Sequence, residues 1–290
     1  MNGETTEFQF RSIHIIQSLP SGELRAGIVL QTALLWAFPD LRARILLHEV
    51  EDRSTLVSVL AAVHGELERT GILPLLHIES HGVSDGIVLA SGEVLEWHDL
   101  CRLLIPINVA SRLNLFVSLA CCFGENLARA IRLTEPAPFI ALVGPNSTQQ
   151  AGLLSDAFAS FYTELLAKRD LDAALVAAGG GTPDIRKPLV LWPADYFFAQ
   201  VFTAHLRERG SKEEIERSAS KLAARLLKQK SLPSQMRRNL ARDLRRELGS
   251  HEKHFYQLLR TYLILDRYPE NEERFGLKWS TFAHLVDRSQ

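Results

Sequence analysis

One histidine and two adjacent cysteines each follow an apolar stretch of the chain and precede a glycine. The stretch Ile72 to Ile78 continues into Glu79-Ser80-His81-Gly82. The stretch Leu113 to Ala120 continues into Cys121-Cys122-Phe123-Gly124. A thiol with an imidazole beside it is the arrangement of a cysteine nucleophile and its general base. The base is needed because a free thiol, with a pKa of about 8.5, is mostly protonated at neutral pH. The pattern therefore predicts nucleophilic catalysis by a Cys/His pair.

The elements that would position these residues alternate between strand and helix over about 200 residues. The strand-like stretches are Phe8 to Leu19, Arg44 to Val50, Ile72 to Ile78, Leu113 to Ala120, Phe139 to Gly144 and Leu189 to Trp192. Helical spacing of apolar residues lies between most of them, which predicts an α/β fold with a mostly parallel sheet sandwiched by helices. Ligands bind at the carboxyl ends of such strands, so we expect His81 and Cys121 to face each other there.

Both cysteines are candidates for the nucleophile. Cys121 comes directly after Ala120, where the strand pattern ends, and this position favours it over the alternative, Cys122. The backbone N–H groups of Gly82 and Cys121 are the expected oxyanion hole, because glycine allows close approach of a substrate. His77 shares a strand face with His81. We expect His77 to be a core residue that could also orient the pair.

These motifs resemble the caspase-like cysteine peptidases. Ser80-His81-Gly82 after one strand, with Leu119-Ala120-Cys121-x-x-Gly124 after the next, is most similar to the bacterial CHAT-type branch. The resemblance covers roughly residues 8–200 and implies a caspase-like fold and endopeptidase activity on a protein substrate, with no metal or cofactor in the chemistry. Alignment on Ala-Cys-x-x-Gly selects Cys121, whereas the shorter Cys-x-Gly selects Cys122. Bacterial relatives often act in defence, including antiviral defence, or in regulated cell death, which implies activation by a signal.

Two residues are candidates for substrate binding. Arg25-Ala26-Gly27 resembles the Arg-x-Gly of caspases, whose arginine binds the acidic side chain before the scissile bond. A guanidinium recognises a carboxylate through two parallel hydrogen bonds, so Arg25 implies acidic substrates. Asp85 is the competing candidate and would select Arg or Lys instead. Structural roles, at the end of a helix for Arg25 and in a turn for Asp85, remain open.

Composition excludes several classes of protein. The chain has 290 residues, 46% hydrophobic and 23% charged, which argues against general disorder. No apolar run approaches the roughly 20 residues of a membrane span. The first ten residues carry glutamates and no basic residue, unlike a secretory signal. Three cysteines do not make a disulfide framework, so we expect a cytoplasmic protein with reduced thiols.

The character of the chain changes near residue 204. Residues 1–204 have a net charge of −8 and residues 205–290 a net charge of +7. We therefore expect a peptidase domain over 1–204 and a basic helical extension over 205–290. Ten basic residues and one acidic residue lie within 217–246. That segment could bind nucleic acid or another acidic partner, but intramolecular docking or solvation is favoured, since no zinc spacing or aromatic stacking motif accompanies it.

Two other classes of function remain beside the peptidase. The first is a catalytically silent caspase-like module that recruits a regulatory partner through its helical tail. Intact His81, Cys121 and Cys122 favour the enzyme over this module. The second is a small-ligand-binding α/β domain. The lack of a GxGxxG motif or a P-loop after any predicted strand argues against it.

Overall fold

The chain forms a sheet-containing unit and a helical unit. The computed structural model describes residues 9–122, 126–145, 151–179, 189–228 and 234–287. The first unit comprises residues 1–131 and 137–194, and the second comprises 132–136 and 195–290. The sequence pattern places the change near residue 204, whereas the structure divides the chain ten residues earlier.

A mostly parallel sheet forms the first unit. Its main strands are β1 (Ser12–Ser18), β2 (Ile45–Glu49), β3 (Pro74–Val83), β6 (Phe116–Ala120), β7 (Ala141–Gly144) and β8 (Val190–Pro193). They lie in the order β2-β1-β3-β6-β7-β8, and only β8 runs antiparallel to its neighbour on this path. The short strands β4 (Gly86–Val88) and β5 (Val94–Glu96) form an antiparallel hairpin that pairs with the end of β3. The expected mostly parallel sheet is confirmed.

Helices lie on both faces of this sheet. They are α1 (Ala26–Ala37), α2 (Arg53–Thr70), α3 (Trp97–Ala110), α4 (Leu127–Ala130), α5 (Ala151–Lys168) and α6 (Leu171–Ala178), with a 3-10 helix over Pro39–Arg44. α1 connects β1 to β2, and α2 then leads back across β1 to β3. Parallel crossovers are right-handed as a rule, and these two run in opposite directions, which places α1 and α2 on opposite faces. α5 packs against α1, and α3 packs against α2.

The opposite directions of these two crossovers determine where a crevice forms at the carboxyl ends of the strands. The chain leaves β1 towards β2 on one side and returns to β3 on the other, so a crevice opens beyond the carboxyl ends of β1 and β3. The strands beneath it are held in place by burial. All seven residues of β1 and the first seven of β3 are buried, so even polar side chains such as His14, Gln17 and His77 lie in the interior.

The second unit is helical. Its elements are α7 (Ala194–Arg209), α8 (Lys212–Leu227), α9 (Ser234–Leu248), α10 (His251–Tyr262), α11 (Asn271–Phe275), a 3-10 helix (Trp279–Thr281) and α12 (Ala283–Asp287). Aromatic side chains form its core. The ring of Phe255 lies 5.3 to 5.4 Å, centroid to centroid, from those of Phe198, Phe202 and Phe282. α7 supplies two of these rings, which explains why it belongs to this unit and not to the sheet.

We predict that Phe255→Ala destabilises the protein by about 3–5 kcal/mol, because it removes a fully buried ring and leaves a cavity. Tyr256→Ala is the matched control on the same helix. Its side chain is 43% exposed, so its loss is expected to cost less than about 1 kcal/mol. Urea denaturation followed by circular dichroism measures both free energies of unfolding. Equal losses from the two variants would contradict the aromatic core.

Candidate active site

One cavity of about 220 Å³ opens at the carboxyl ends of β1, β3 and β6. The first residues of α1 and of α5 complete its wall. The sequence-predicted residues that line it are His77, His81, Gly82, Cys121 and Cys122. Other lining residues include Leu19, Glu23, Ala26, Leu30, Glu79, Ser80, Ala120, Leu154 and Phe158. The structure therefore brings the histidine and both cysteines to one site, as their positions after neighbouring strands predict.

The approach of β3 to β6 is what brings these residues together. Glu79 of β3 lies beside Ala120 of β6, so the next positions of the two strands place Ser80 and His81 near the cysteines. At Gly82 the two backbones touch. A Cβ atom there would lie 1.7 Å from the carbonyl oxygen of Cys122. Only glycine fits this contact, which is a stronger requirement than the substrate access expected from the sequence.

His81 lies within a strand, although the apolar pattern predicts that the strand ends at Ile78. β3 continues to Val83 because its last residues pair with β4, with His81 opposite Val88. This pairing fixes the backbone that carries the imidazole. The hairpin therefore supports the histidine directly.

Glu23 binds the imidazole of His81. Its Oε2 lies 2.6 Å from Nε2 of His81, and the histidine side chain is 53% exposed. A carboxylate that accepts the Nε2–H leaves Nδ1 with a lone pair to receive a proton from a thiol. Sequence analysis did not identify this residue. Glu23 lies in the turn between β1 and α1, far from His81 in the sequence. The two side chains meet only because this turn folds next to the end of β3.

The two thiols differ in environment. Cys121 is 3% exposed, and burial, together with the neighbouring Cys122, raises the pKa of its thiol. Cys122 is partly exposed at the same cavity. In this conformation Cys121 therefore carries its proton, and Cys122 is the more accessible sulfur. A buried thiol of this kind is unreactive until its surroundings change.

His77 is the buried neighbour of the site, as expected of a core residue. Its ring makes edge contacts with Phe158 and Tyr162 of α5, and the Tyr162 hydroxyl lies 3.4 Å from Nδ1. Burial lowers the pKa of His77 to about 3, so the ring is neutral at any ordinary pH. A neutral ring fixed by α5 can shape the cavity without adding charge to it.

Glu79 links β3 to the beginning of α1. Burial raises the pKa of this carboxyl to about 7, while the backbone N–H groups of Gly27 and Ala26 act in the opposite direction. A Cβ atom on Gly27 would lie 2.9 Å from Oε2 of Glu79, so this close contact also needs a glycine. Arg25 precedes α1 and makes no side-chain capping bond. The carboxyl of Glu79 therefore lies against the first turn of α1.

Arg25 and Asp85, the two sequence-predicted substrate-binding residues, lie elsewhere. Arg25 is half-exposed and pairs with Glu49 of β2. Asp85 is exposed in the turn after β3, where its carboxylate accepts a hydrogen bond from the Ser84 hydroxyl. Among the residues that the structure describes, neither side chain lines the cavity.

Charge pairing accounts for part of the basic segment 217–246. Arg245 of α9 pairs with Glu216 of α8, and Arg217 pairs with Glu214 within α8. Arg242 and Arg246 both lie near Asp243. The side chains of Arg237 and Arg238 lie outside the described residues. The pairs that are described neutralise basic side chains within the unit itself.

Two comparisons with known proteins were made on the sequence. No protein-family model matches the chain, and a search of curated proteins also finds no match. In the described part of the chain, no helix is long and apolar enough to cross a membrane. Across the same ranges, no group of three or more His, Cys, Asp or Glu side chains is arranged to hold a metal ion.

We predict that Gly82→Ala disrupts the site. The new methyl group would overlap the Cys122 carbonyl, so the ends of β3 and β6 must separate, at a cost of about 1–3 kcal/mol or more. Gly65→Ala on α2 is the control, because nothing lies within 4 Å of its added Cβ. That variant is expected to gain roughly 0.5–1 kcal/mol from helix propensity. Equal stabilities of the two variants, measured by urea denaturation, would contradict the close contact.

We predict that Glu79→Gln alters the dependence of stability on pH. The pKa of Glu79 is higher in the folded chain than its ordinary value of 4.5, so its protonated form favours folding. That contribution is complete below about pH 4.5 and is lost as the pH rises through about 7. The variant should therefore gain stability over the wild type between these pH values, of the order of 3 kcal/mol.

The control for this experiment is Glu51→Gln, which removes an exposed carboxyl that precedes α2. Its free energy of unfolding should follow the wild type at every pH. If Glu79→Gln also follows the wild type from pH 4.5 to 8, Glu79 does not titrate as described.

Proposed function

We propose that the protein is a cysteine endopeptidase that uses Cys121 as nucleophile and His81 as base. The observation that carries the proposal is the cavity at the carboxyl edge of the sheet, lined by His81, Gly82, Cys121 and Cys122. The α/β fold with its mostly parallel sheet is compatible with the caspase-like architecture that the motifs imply. The protein substrate and a role in defence rest on that resemblance alone.

The chemistry follows from the positions of these groups. Glu23 accepts the Nε2–H of His81, and Nδ1 takes the proton from the thiol as sulfur attacks the scissile carbonyl carbon. The backbone N–H groups of Gly82 and Cys121 would stabilise the resulting oxyanion. The imidazolium then protonates the leaving amine. Water, deprotonated by His81, hydrolyses the thioester and restores the thiol.

Activation is part of the proposal, because the nucleophile is buried. The raised pKa of Cys121 means that the thiol is not ready to ionise in this conformation. A change that exposes the sulfur to Nδ1 of His81 would lower that pKa and start catalysis. A peptidase that is switched on by a signal, as the resemblance implies, needs a resting state of this kind.

Cys122 is the alternative nucleophile, and the structure gives it a specific argument. It is more exposed than Cys121, and both it and His81 line the cavity. The family pattern favours Cys121. The variants Cys121→Ala and Cys122→Ala, described below, decide which of the two cysteines is the nucleophile.

A catalytically silent interaction module is the second candidate function. The burial of Cys121 favours it, since a thiol held in its protonated form is typical of a structural cysteine. In this case the helical unit would recruit a partner. The site residues would then keep their positions but would not catalyse peptide cleavage.

We predict that an electrophilic peptide, such as a peptidyl chloromethyl ketone, labels Cys121 once the protein is activated. Cys121→Ala and His81→Ala should abolish both labelling and cleavage, and Glu23→Gln should reduce the rate by roughly 10- to 100-fold, because a neutral amide no longer stabilises the imidazolium. Cys101→Ala is the control, because Cys101 is a buried cysteine of α3 and is not among the described residues that line the cavity. Mass spectrometry locates the label.

The outcomes separate the candidates. Loss of labelling in Cys122→Ala, with Cys121→Ala unaffected, would assign Cys122 as the nucleophile. No labelling of either cysteine, in a protein that still binds partners through its helices, would favour the silent module.

Substrate preference is a separate prediction. Arg25 immediately precedes Ala26, which lines the cavity, so release from Glu49 would allow its guanidinium to bind an acidic side chain. Peptides that differ only before the scissile bond test this, with Arg25→Ala and Asp85→Ala as paired variants. Preference for Asp or Glu that disappears in Arg25→Ala supports the assignment. Cleavage after Arg or Lys that needs Asp85 would reverse it.

A further inference from the structure

A second cavity lies at the opposite edge of the sheet, at the amino ends of β1 and β2. Its volume is about 250 Å³. Three arginines line it, namely Arg11, Arg44 and Arg169. The other lining residues are Phe10, Ser12, Ile13, Leu41, Ile45 and Leu166. No acidic residue is among the described residues that line it, so the cavity is a concentrated positive site.

The three arginines come from separate elements of the first unit. Arg11 precedes β1, Arg44 ends the 3-10 helix before β2, and Arg169 follows α5. Within the described ranges, none of them forms an ion pair with a carboxylate. Three positive charges that share one cavity repel each other unless an anion joins them. This cluster also lies in a region, residues 1–204, whose net charge is −8.

Arg169 is held in position at a cost in backbone strain. Its φ is +57°, in the left-handed region, and its backbone N–H donates to the carbonyl of Leu165. This position after a helix usually carries glycine, which adopts such a conformation without strain. The guanidinium carbon lies 4.9 Å from the centre of the Phe10 ring, which also lines the cavity. The aromatic face therefore orients the guanidinium before any ligand arrives.

We propose that this cavity binds the phosphate group of a small molecule. Phosphate offers several oxygens and up to two negative charges, and the planar fork of a guanidinium binds two such oxygens at once. Three guanidinium groups that approach from three directions can surround one phosphate or a diphosphate. A single carboxylate could form paired hydrogen bonds with only one of these groups. The site lies at the other edge of the sheet from the cysteines, and the proposal does not depend on peptidase activity.

The test titrates the full chain with pyrophosphate by isothermal calorimetry at low ionic strength. One saturable site is expected, and Arg11→Gln, Arg44→Gln and Arg169→Gln should each weaken binding about tenfold or more, because each removes charge-assisted hydrogen bonds. Arg42→Gln is the matched control, an exposed arginine of the same 3-10 helix that does not line the cavity. It should bind as the wild type does. Inorganic phosphate, AMP and ATP are titrated in parallel to separate a free phosphate from a nucleotide as the source.

Three results would overturn the proposal. The first is the absence of saturable binding by any of these four probes. The second is an equal loss of affinity in Arg42→Gln, which would mean diffuse attraction to surface charge. The third concerns the ligand-free protein, in which Arg11→Gln and Arg44→Gln should be at least as stable as the wild type, since each relieves repulsion. A clear loss of stability that is matched by Glu4→Gln/Glu7→Gln would show that the chain's own carboxylates neutralise the cluster.

Discussion

The contact between the backbones of β3 and β6 at their carboxyl ends is the constraint on which the site depends. Gly82 lies so close to the carbonyl of Cys122 that no side chain fits between them. Because the two strands approach this closely, the imidazole and the thiols share one small cavity. The hairpin of β4 and β5 supports the same segment from the other side, since His81 pairs opposite Val88. The histidine is therefore positioned by backbone contacts that do not depend on its own side chain.

Burial sets the charge state of the groups around this cavity. The inner groups are neutral: His77 has its pKa lowered by burial, and Cys121 has its pKa raised by the same cause. The outer pair, His81 with Glu23, is half-exposed and joined by a hydrogen bond. A hydrogen-bonded imidazole at the mouth of the cavity and a protonated thiol beneath it are what a resting state of such an enzyme requires. This distribution is the physical reason for proposing an enzyme that requires activation.

The two edges of the sheet differ in charge. At the carboxyl edge Glu23 pairs with His81 and burial raises the pKa of Glu79 to about 7, whereas three arginines line the cavity at the amino edge. β1 runs between the two, and its seven residues are all buried. Such a strand separates the sites by a rigid, close-packed interior. The two proposed sites are therefore physically separate.

The sequence by itself determined the order of the elements and the edge at which the chemistry lies. Apolar strands of the right length, helical spacing between them and a glycine after each candidate residue predict a mostly parallel sheet, and the carboxyl ends of parallel strands meet. That argument needs only local periodicity and parallel neighbouring strands, and it predicts one site for His81 and the two cysteines, all three of which line the cavity. It placed the change to the helical region ten residues late, because the aromatic residues of α7 do not show whether they pack on a sheet or on other helices.

Only the tertiary structure decided which side chains touch. Glu23 reaches His81, Glu79 binds the first turn of α1, and Arg25 turns away to Glu49. The depth at which Cys121 is buried and the meeting of Arg11, Arg44 and Arg169 were likewise absent from any pattern in the sequence. Each of these depends on how loops and helix ends from distant parts of the chain pack in space. Local periodicity carries no information about such packing, because it records only which face of its own element a residue occupies.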